Sequence, residues 1–172
     1  MPLVDDLLET IGDEPEYFTS LDLYSGYFQI LLTKEASEKS AFVTPDGQYK
    51  YLRMPFGMCN APATFQRMMN TIFKDLIGKC VTVYIDDIQL YTRTFKDHMF
   101  YLEELFSRLR KNGLFLKAKK CTLATHEMKY LGFIIMKQGL KADLSKIDAI
   151  KNYKVPKTVS EVRAFSRTGS IL

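Results

Sequence analysis

Three aspartates are the side chains in this sequence best suited to carry chemistry. Asp86 and Asp87 are adjacent in VTVYIDDIQLY (residues 81–91), between two apolar runs of strand-like composition. A turn between strands would ordinarily contain Gly or Asn, which tolerate positive φ. Asp22 lies among apolar neighbours in TSLDLY (residues 19–24). Three carboxylates gathered at one end of a sheet repel one another unless they share a cation.

Hard carboxylate oxygens select Mg²⁺ or Mn²⁺. The sequence offers no plausible His/Cys set for zinc, because His98 and His126 are far apart and lie in polar contexts, where we expect ordinary surface histidines. Two divalent ions about 3.5–4 Å apart are the usual apparatus for in-line phosphoryl transfer. The residues alone also allow a simpler interpretation, in which Asp86-Asp87 is a solvated turn.

The hydrophobic pattern predicts the elements that would position these acids. Helices are predicted at 2–11, at 60–78 with Asn60 as N-cap and Gly78 as the stop, and at 95–112. Strands are predicted at 17–23, at 27–32, on both sides of Asp86-Asp87, and in a hairpin at 40–54 around Pro45-Asp46-Gly47. Interleaved helices and hairpins predict an α+β fold with an antiparallel sheet packed on helices.

Composition narrows the class of protein. A chain of 172 residues with 47% hydrophobic residues suits one domain with a sizeable core. Three widely spaced cysteines indicate no disulfide framework, and neither a signal peptide nor a membrane-spanning run is evident, so we expect an intracellular protein without a membrane partner. The first 40 residues carry nine acids and two lysines, whereas the remainder carries 22 bases and 11 acids. That basic part is either a polyanion-binding surface or a solvated lysine-rich one.

Several long motifs, in one order, resemble the reverse transcriptases of gypsy-type LTR retrotransposons. They are LDLYSGYFQI, AFVTPDGQYKYLRMPFGMCNAPATFQRMMN, VTVYIDDIQLY and KKCTLATHEMKYLGFII. The resemblance covers nearly the whole chain and implies a polymerase palm with partial fingers at 1–155, followed at 156–172 by the truncated start of the connection to the thumb. It implies an RNA-directed DNA polymerase that uses two Mg²⁺ (or Mn²⁺) ions, an RNA/DNA primer-template and a dNTP.

The resemblance also implies roles for individual residues. The metal-binding catalytic acids would be Asp22, Asp86 and Asp87, with Leu23 beside them in the metal site. The dNTP pocket would comprise Tyr27 as the steric gate against a 2′-OH, together with Pro55, Phe56 and Gly57. Template and primer would meet Gln66, Arg67, Tyr84, Tyr130, Leu131 and Gly132. Lys119 or Lys120 would protonate the pyrophosphate leaving group, and both stay open as candidates.

The sequence also departs from the family pattern. The upstream fingers segment that clamps the triphosphate, the thumb, the connection and RNase H are not recognisable, and Gln89 stands where the family is usually apolar. Other parts of a polyprotein, or a second copy of the chain, could supply what is lost. The alternatives are an inactive nucleic-acid-binding remnant, a decayed gene product, and a different two-metal enzyme such as a nuclease.

Overall fold

The structure is a computed structural model, and it describes residues 15–130, 132–142 and 158–163. The predicted helix at 2–11, Leu131 and the predicted domain boundary at 155/156 lie outside the described residues. The described strands are β1 Tyr17–Asp22, β2 Phe42–Thr44, β3 Gly47–Tyr49, β4 Val81–Tyr84, β5 Asp87–Thr92, β6 Thr122–Thr125, β7 Glu127–Tyr130, β8 Phe133–Met136 and β9 Gly139–Ala142. The helices of the described core are α1 Lys34–Lys39, α2 Ala61–Ile72 and α3 Phe95–Lys111, and 3₁₀ turns occupy Gly26–Gln29 and Ala118–Lys120.

The central sheet has four antiparallel strands in the order β4-β5-β1-β6. Two smaller antiparallel sheets are formed by β2-β3 and by β7-β8-β9. Together with the helices, they confirm the predicted α+β class. Within the described ranges, none of the helices has both the length and the apolar character that a membrane crossing requires.

Helices α2 and α3 contribute to the main core through apolar residues at helical spacing. Phe65 and Met69 of α2, and Leu102, Leu105 and Leu109 of α3, are at most 5% exposed. They share one cluster with the sheet residues Leu21, Val81, Ile88 and Leu90. The strands that lead to the three aspartates are therefore packed against both helices through this one cluster.

Two predictions about these elements are wrong. The segment at 27–32 does not form the predicted strand: Gly26–Gln29 form a 3₁₀ turn and Leu31 makes an isolated bridge with Arg53, because Ser25 has a φ of +48° and turns the chain, and Tyr27 is buried against Phe65. Helix α2 ends at Ile72, six residues before Gly78, and Asn60 makes no side-chain capping hydrogen bond, because its backbone is already near the helical region.

His98, expected on the surface, is fully buried. Its two ring nitrogens meet the hydroxyl oxygens of Thr19 and Thr92 at 2.7 and 2.9 Å. The prediction failed because the burial depends on two strands of the central sheet, and one of the partners, Thr19, is 79 residues away in the chain. Gln89 is buried as well, and its Nε2 donates to Ser20 Oγ at 3.0 Å, which satisfies one end of the amide.

Candidate active site

The hairpin β4–β5 brings the three aspartates together at one end of the strands of the central sheet. Asp87 lies directly opposite Asp22 in the antiparallel pair β1–β5. Tyr84 pairs with Asp87, so the central residues of the turn are Ile85 and Asp86. The predicted turn, Asp86-Asp87, is therefore wrong by one residue, because Asp87 is already paired as the first residue of β5. The N–H of Leu23 donates to the carbonyl of Asp86 at 3.2 Å, which ties the turn to the residue after Asp22.

The carboxylates of this group act on one another electrostatically. Burial raises the pKa of Asp86 and of Asp87, and the negative charge of Asp22 raises both further. Asp87 adds to the upward shift of the pKa of Asp86. Like charges directly opposite each other in a sheet are destabilising. The arrangement therefore concentrates unfavourable negative charge at the site.

A lysine partly offsets this charge. Lys120 Nζ lies 3.2 Å from Asp22 Oδ2. The chain reaches this position because the N–H of Lys117 donates to the carbonyl of Asp22 at 2.8 Å and the 3₁₀ turn Ala118–Lys120 follows directly. Of the two candidate lysines, Lys120 is the one that the structure brings to the aspartates, while Lys119 is exposed on the same 3₁₀ turn.

The donor chemistry of the site fits a divalent cation, although no preformed cage is present. Among the residues that the structure describes, no group of three His, Cys, Asp or Glu side chains is arranged to hold a metal ion. Asp86 Oδ1 is nevertheless buried and has no hydrogen-bond partner, and the oxygens of Asp22, Asp86 and Asp87 are hard ligands. A cation bound to them would give the orphaned oxygen a partner and neutralise the repulsion.

The predicted nucleotide-pocket residues meet in one aromatic cluster. Tyr27 is 8% exposed, and its ring centroid lies 5.0 Å from that of Phe56 and 5.6 Å from that of Phe65. Burial raises the pKa of Tyr27, and the charge of Asp86 raises it further. Phe56 is 57% exposed, while Pro55 before it is buried. Gly57 has a φ of +95°, which a side chain would strain.

The two predicted template residues on α2 differ in their surroundings. Gln66 Nε2 donates to the carbonyl of Val83 at 3.0 Å, and the N–H of Ile85 donates to Gln66 Oε1 at 3.2 Å. Its side chain is thus engaged with the hairpin that carries Asp86. Arg67 is exposed, and its Nη2 donates to Thr64 Oγ1 at 3.3 Å.

The predicted primer residues lie beside the same hairpin in a second cluster. Tyr84, at the end of β4, packs against a small apolar group that includes Tyr130. The other members of that group are Phe18, Tyr91, Met128 and Ile135. Burial raises the pKa of Tyr130 to about 12. Gly132 has a φ of +92° in the turn between β7 and β8.

Sequence analysis missed Gly26 as a residue of this site. A Cβ on Gly26 would clash with Asp86 Oδ1 and would lie 3.0 Å from the ring of Phe65. Its place in YSGY, four residues after Asp22, was a signal, since glycine allows another group to approach the backbone closely. For His98 the signal was the spacing of His98, Leu102, Leu105 and Leu109, which extends the buried stripe of α3 to the histidine.

The acids lie at a hairpin turn and on the neighbouring strand of an antiparallel sheet, and this sheet packs on two helices. This arrangement defines a polymerase palm. The sequence profile described as "Reverse transcriptase (RNA-dependent DNA polymerase)" matches residues 5–135. The chain belongs to the reverse transcriptase family, whose members generally use divalent metal ions.

Relatives of known name place the chain among retrotransposon sequences. It is 40% identical to the "Retrovirus-related Pol polyprotein from transposon 297" and 35% identical to that from transposon gypsy, both of Drosophila melanogaster, over 96% of this chain in each case. The chain spans 16% of the length of each of these polyproteins. The chain corresponds to the reverse transcriptase domain of these polyproteins. The two identities confirm the resemblance to gypsy-type elements.

Solved structures agree with this assignment. The "foamy viral protease-reverse transcriptase in complex with RNA/DNA hybrid" is 29% identical, with a TM-score of 0.84 over 94% of this chain and 22% of that chain. A second structure of the foamy viral enzyme, in complex with double-stranded DNA, is 28% identical with a TM-score of 0.84. The fold class predicted from the sequence is therefore confirmed.

Proposed function

We propose that this chain is the palm, with part of the fingers, of an RNA-directed DNA polymerase. The observation that carries the proposal is the placement of Asp22 directly opposite Asp87, with Asp86 in the adjoining turn. In the reaction, the 3′-oxygen of a primer loses its proton and bonds to the α-phosphorus of a dNTP. The bond from that phosphorus to the leaving oxygen breaks, and pyrophosphate departs.

Two Mg²⁺ or Mn²⁺ ions are proposed to bind Asp22, Asp86 and Asp87 beside Leu23. When bound, such ions neutralise charge that develops on the attacking and leaving oxygens. The chain itself holds Asp22 and Asp87 on paired strands and Asp86 in the adjoining turn, and it brings the ammonium group of Lys120 beside Asp22. A preorganised arrangement of this kind would help to orient the reacting groups.

Lys120 is proposed as the general acid that donates a proton to the departing pyrophosphate. The support is its 3.2 Å contact with Asp22 Oδ2, which holds the ammonium group at the edge of the acidic cluster. An ammonium group placed there also lowers the electrostatic cost of bringing a triphosphate to three aspartates. Lys119 is the second candidate.

Tyr27 is proposed as the steric gate, with Pro55, Phe56 and Gly57 forming the rest of the nucleotide pocket. The support is that Tyr27 is held against Phe56 and Phe65 and cannot swing aside without breaking both ring contacts. A rigid aromatic ring under the sugar would collide with a 2′-OH. The pocket would therefore select dNTP over rNTP.

Template and primer are proposed to lie along the face formed by α2 and the second cluster. Arg67 would contact a template phosphate, and Gln66 belongs to the same region with its amide engaged by the hairpin. Tyr84, Tyr130, Leu131 and Gly132 would face the primer strand. The excess of Lys and Arg in residues 41–172 would hold both strands through sequence-independent phosphate contacts.

The relatives are longer polyproteins, so further contacts to substrate are also proposed. Other polyprotein segments, or a second copy of this chain, would complete the cleft around the primer-template. We propose that the polymerase acts inside the cell.

A primer-extension assay tests the function. The 172-residue chain and its Asp86→Asn variant are incubated with an RNA template, a DNA primer, dNTPs and Mg²⁺ or Mn²⁺. We expect extension by the wild type and a loss of at least about 100-fold in the variant, since a carboxylate that acts on the reacting atoms is removed.

Control measurements separate the alternatives. Equal product from wild type and Asp86→Asn would remove the claim. Binding of the primer-template that weakens with salt, without extension by either protein, would instead support nucleic-acid binding without catalysis. Template degradation that does not depend on dNTP would indicate a nuclease.

A further inference from the structure

The backbone of the hairpin turn contains an outlier. Ile85 has a φ of +53°, whereas Asp86 is not among the residues with positive φ. A positive φ at the first central residue of a two-residue hairpin is the pattern of a type II′ turn, and that position favours glycine. A β-branched residue is strongly disfavoured there. Such a conformation persists only where neighbouring groups hold it in place.

The side chain of Gln66 provides such a constraint. The amide Nε2 donates to the carbonyl of Val83 at 3.0 Å, and Oε1 accepts from the N–H of Ile85 at 3.2 Å. Among the described residues, β4 is the edge strand of its sheet, and beyond the bridge from Val81 to Ile77 its outer side has no neighbouring strand. Carbonyl i and N–H i+2 of a strand point to the same side. One glutamine amide therefore pairs with both groups as the peptide of an adjacent strand would.

The two hydrogen bonds lie on either side of Tyr84: one is made to Val83, and the other to Ile85, the residue with the positive φ. Val83 is the penultimate residue of β4, Ile85 is the outlier, and Asp86 follows immediately. Because α2 is anchored by Phe65 and Met69, which are 0% exposed, the amide is held from a rigid element. A shift of the turn would move Asp86 directly and Asp87 through the register with Tyr84.

We infer that Gln66 is a positioning residue of the polymerase: its amide holds Ile85 in the positive-φ conformation and so fixes Asp86 and Asp87 beside Asp22. The inference rests on the proposed function for its catalytic consequence. Gln66 touches none of the reacting atoms. It affects the positions of Asp86 and Asp87 through the backbone of the turn.

The test compares Gln66→Met with Gln48→Met in the 172-residue chain. Methionine keeps the length and approximate volume of glutamine but removes both hydrogen bonds, to Val83 and to Ile85. Gln48 is the matched control, since the chemical change is the same and the residue is exposed on β3, in a different sheet from the hairpin. Thermal unfolding verifies that all proteins remain folded.

The direct measurement is hydrogen exchange of the Ile85 amide, read by NMR or by mass spectrometry of a short peptide. In Gln66→Met we expect this amide to exchange at least about 10-fold faster, because its acceptor is gone. In Gln48→Met we expect no change. An unchanged exchange rate in Gln66→Met, or equal acceleration in Gln48→Met, would overturn the inference.

Primer extension and Mn²⁺ binding read the consequence for the site. We expect kcat of Gln66→Met to fall about 10- to 100-fold with little change in the KM for dNTP, since misplaced catalytic groups slow the chemical step. We expect Mn²⁺ to bind several-fold more weakly, because the carboxylates are less well positioned. Wild-type kcat in Gln66→Met would sink the inference while leaving the proposed function intact. If even the wild type extends no primer, the proposed function fails, and the inference is then decided by whether Gln66→Met weakens Mn²⁺ binding.

Discussion

The buried histidine gives a prediction about stability and pH. The hydroxyl of Thr92 donates to the carbonyl of Thr94 at 3.2 Å, so its oxygen is left to accept from Nδ1–H of His98 at 2.9 Å. Nε2 then accepts from the hydroxyl of Thr19 at 2.7 Å, and Thr19 Oγ1 in turn accepts from the N–H of Ala124 at 2.9 Å. Every proton in this network is accounted for by one neutral tautomer. A second proton on His98 would remove the acceptor for Thr19.

The sign of the pH effect follows from burial, which lowers the pKa of His98 in the folded state. The unfolded chain binds a proton near pH 6.5, before the folded chain does. The stabilising contribution is therefore present above about pH 6.5 and is lost as the pH falls toward the folded-state pKa. In this interval the free energy of unfolding decreases by up to about 1.4 kcal/mol per pH unit.

Two acids of the active site act in the opposite direction. The pKa values of Asp86 and Asp87 are raised in the folded state, mainly by burial. Their contribution is present at low pH and is lost as the pH rises through their folded-state pKa values. The pH dependence of the wild type alone therefore mixes the two effects, and a variant is needed to isolate the histidine.

The assay is urea-induced unfolding at pH 7.5, 6.5 and 5.5 for the wild type, His98→Gln and His126→Gln. The control residue His126 is exposed and makes a 3.0 Å contact from Nδ1 to the carbonyl of Glu16. We expect His98→Gln to be less stable at pH 7.5 by about 1–3 kcal/mol, because glutamine cannot reproduce both hydrogen bonds. From pH 6.5 to 5.5, the wild type and His126→Gln should each lose up to about 1.4 kcal/mol more than His98→Gln. Parallel curves for the wild type and His98→Gln would refute the reasoning.

Two further predictions concern the active site. Gly26→Ala should lower the rate of primer extension by about 10-fold or more, because the new Cβ would displace the carboxylate of Asp86. Some loss of stability accompanies it, since the Cβ would also lie 3.0 Å from the buried ring of Phe65, so thermal unfolding verifies that the variant is folded. An extension rate equal to that of the wild type would count against the close approach. Lys120→Met should reduce extension more than Lys119→Met does, because only Lys120 is seen to contact Asp22, at 3.2 Å; single-turnover rates for both variants measure this, and a larger loss in Lys119→Met would reverse the assignment.

The parts of the site that the sequence could predict are those encoded locally. Strand-forming residues on both sides of Asp86-Asp87 predicted the hairpin, and the apolar neighbours of Asp22 predicted a strand. Both predictions are confirmed by β1, β4 and β5. Antiparallel pairing then brings the ends of these strands together, so the meeting of Asp22 and Asp87 follows from the topology.

The features that sequence analysis missed depend on contacts between distant parts of the chain. His98 finds Thr19 across 79 residues, and Gln66 finds Ile85 across 19. Nothing in the local pattern shows that a glutamine on a helix will pair with a strand edge. The strand predicted at 27–32 failed for a similar reason, since tertiary packing of Tyr27 overrode the strand propensity of that segment.

Departures from the usual backbone and electrostatic preferences are concentrated at the strand ends where the aspartates meet. A β-branched residue has a positive φ at Ile85, Asp22 and Asp87 face each other as like charges, and Asp86 Oδ1 is buried without a partner. Directly behind them, the strands continue into side chains that are at most 1% exposed, namely Leu21, Ile88 and Leu90. An unfavourable local arrangement survives where the surrounding packing leaves it no alternative. The apolar runs around the aspartates therefore do more than form a core, because they hold the acids in a geometry that the acids themselves oppose.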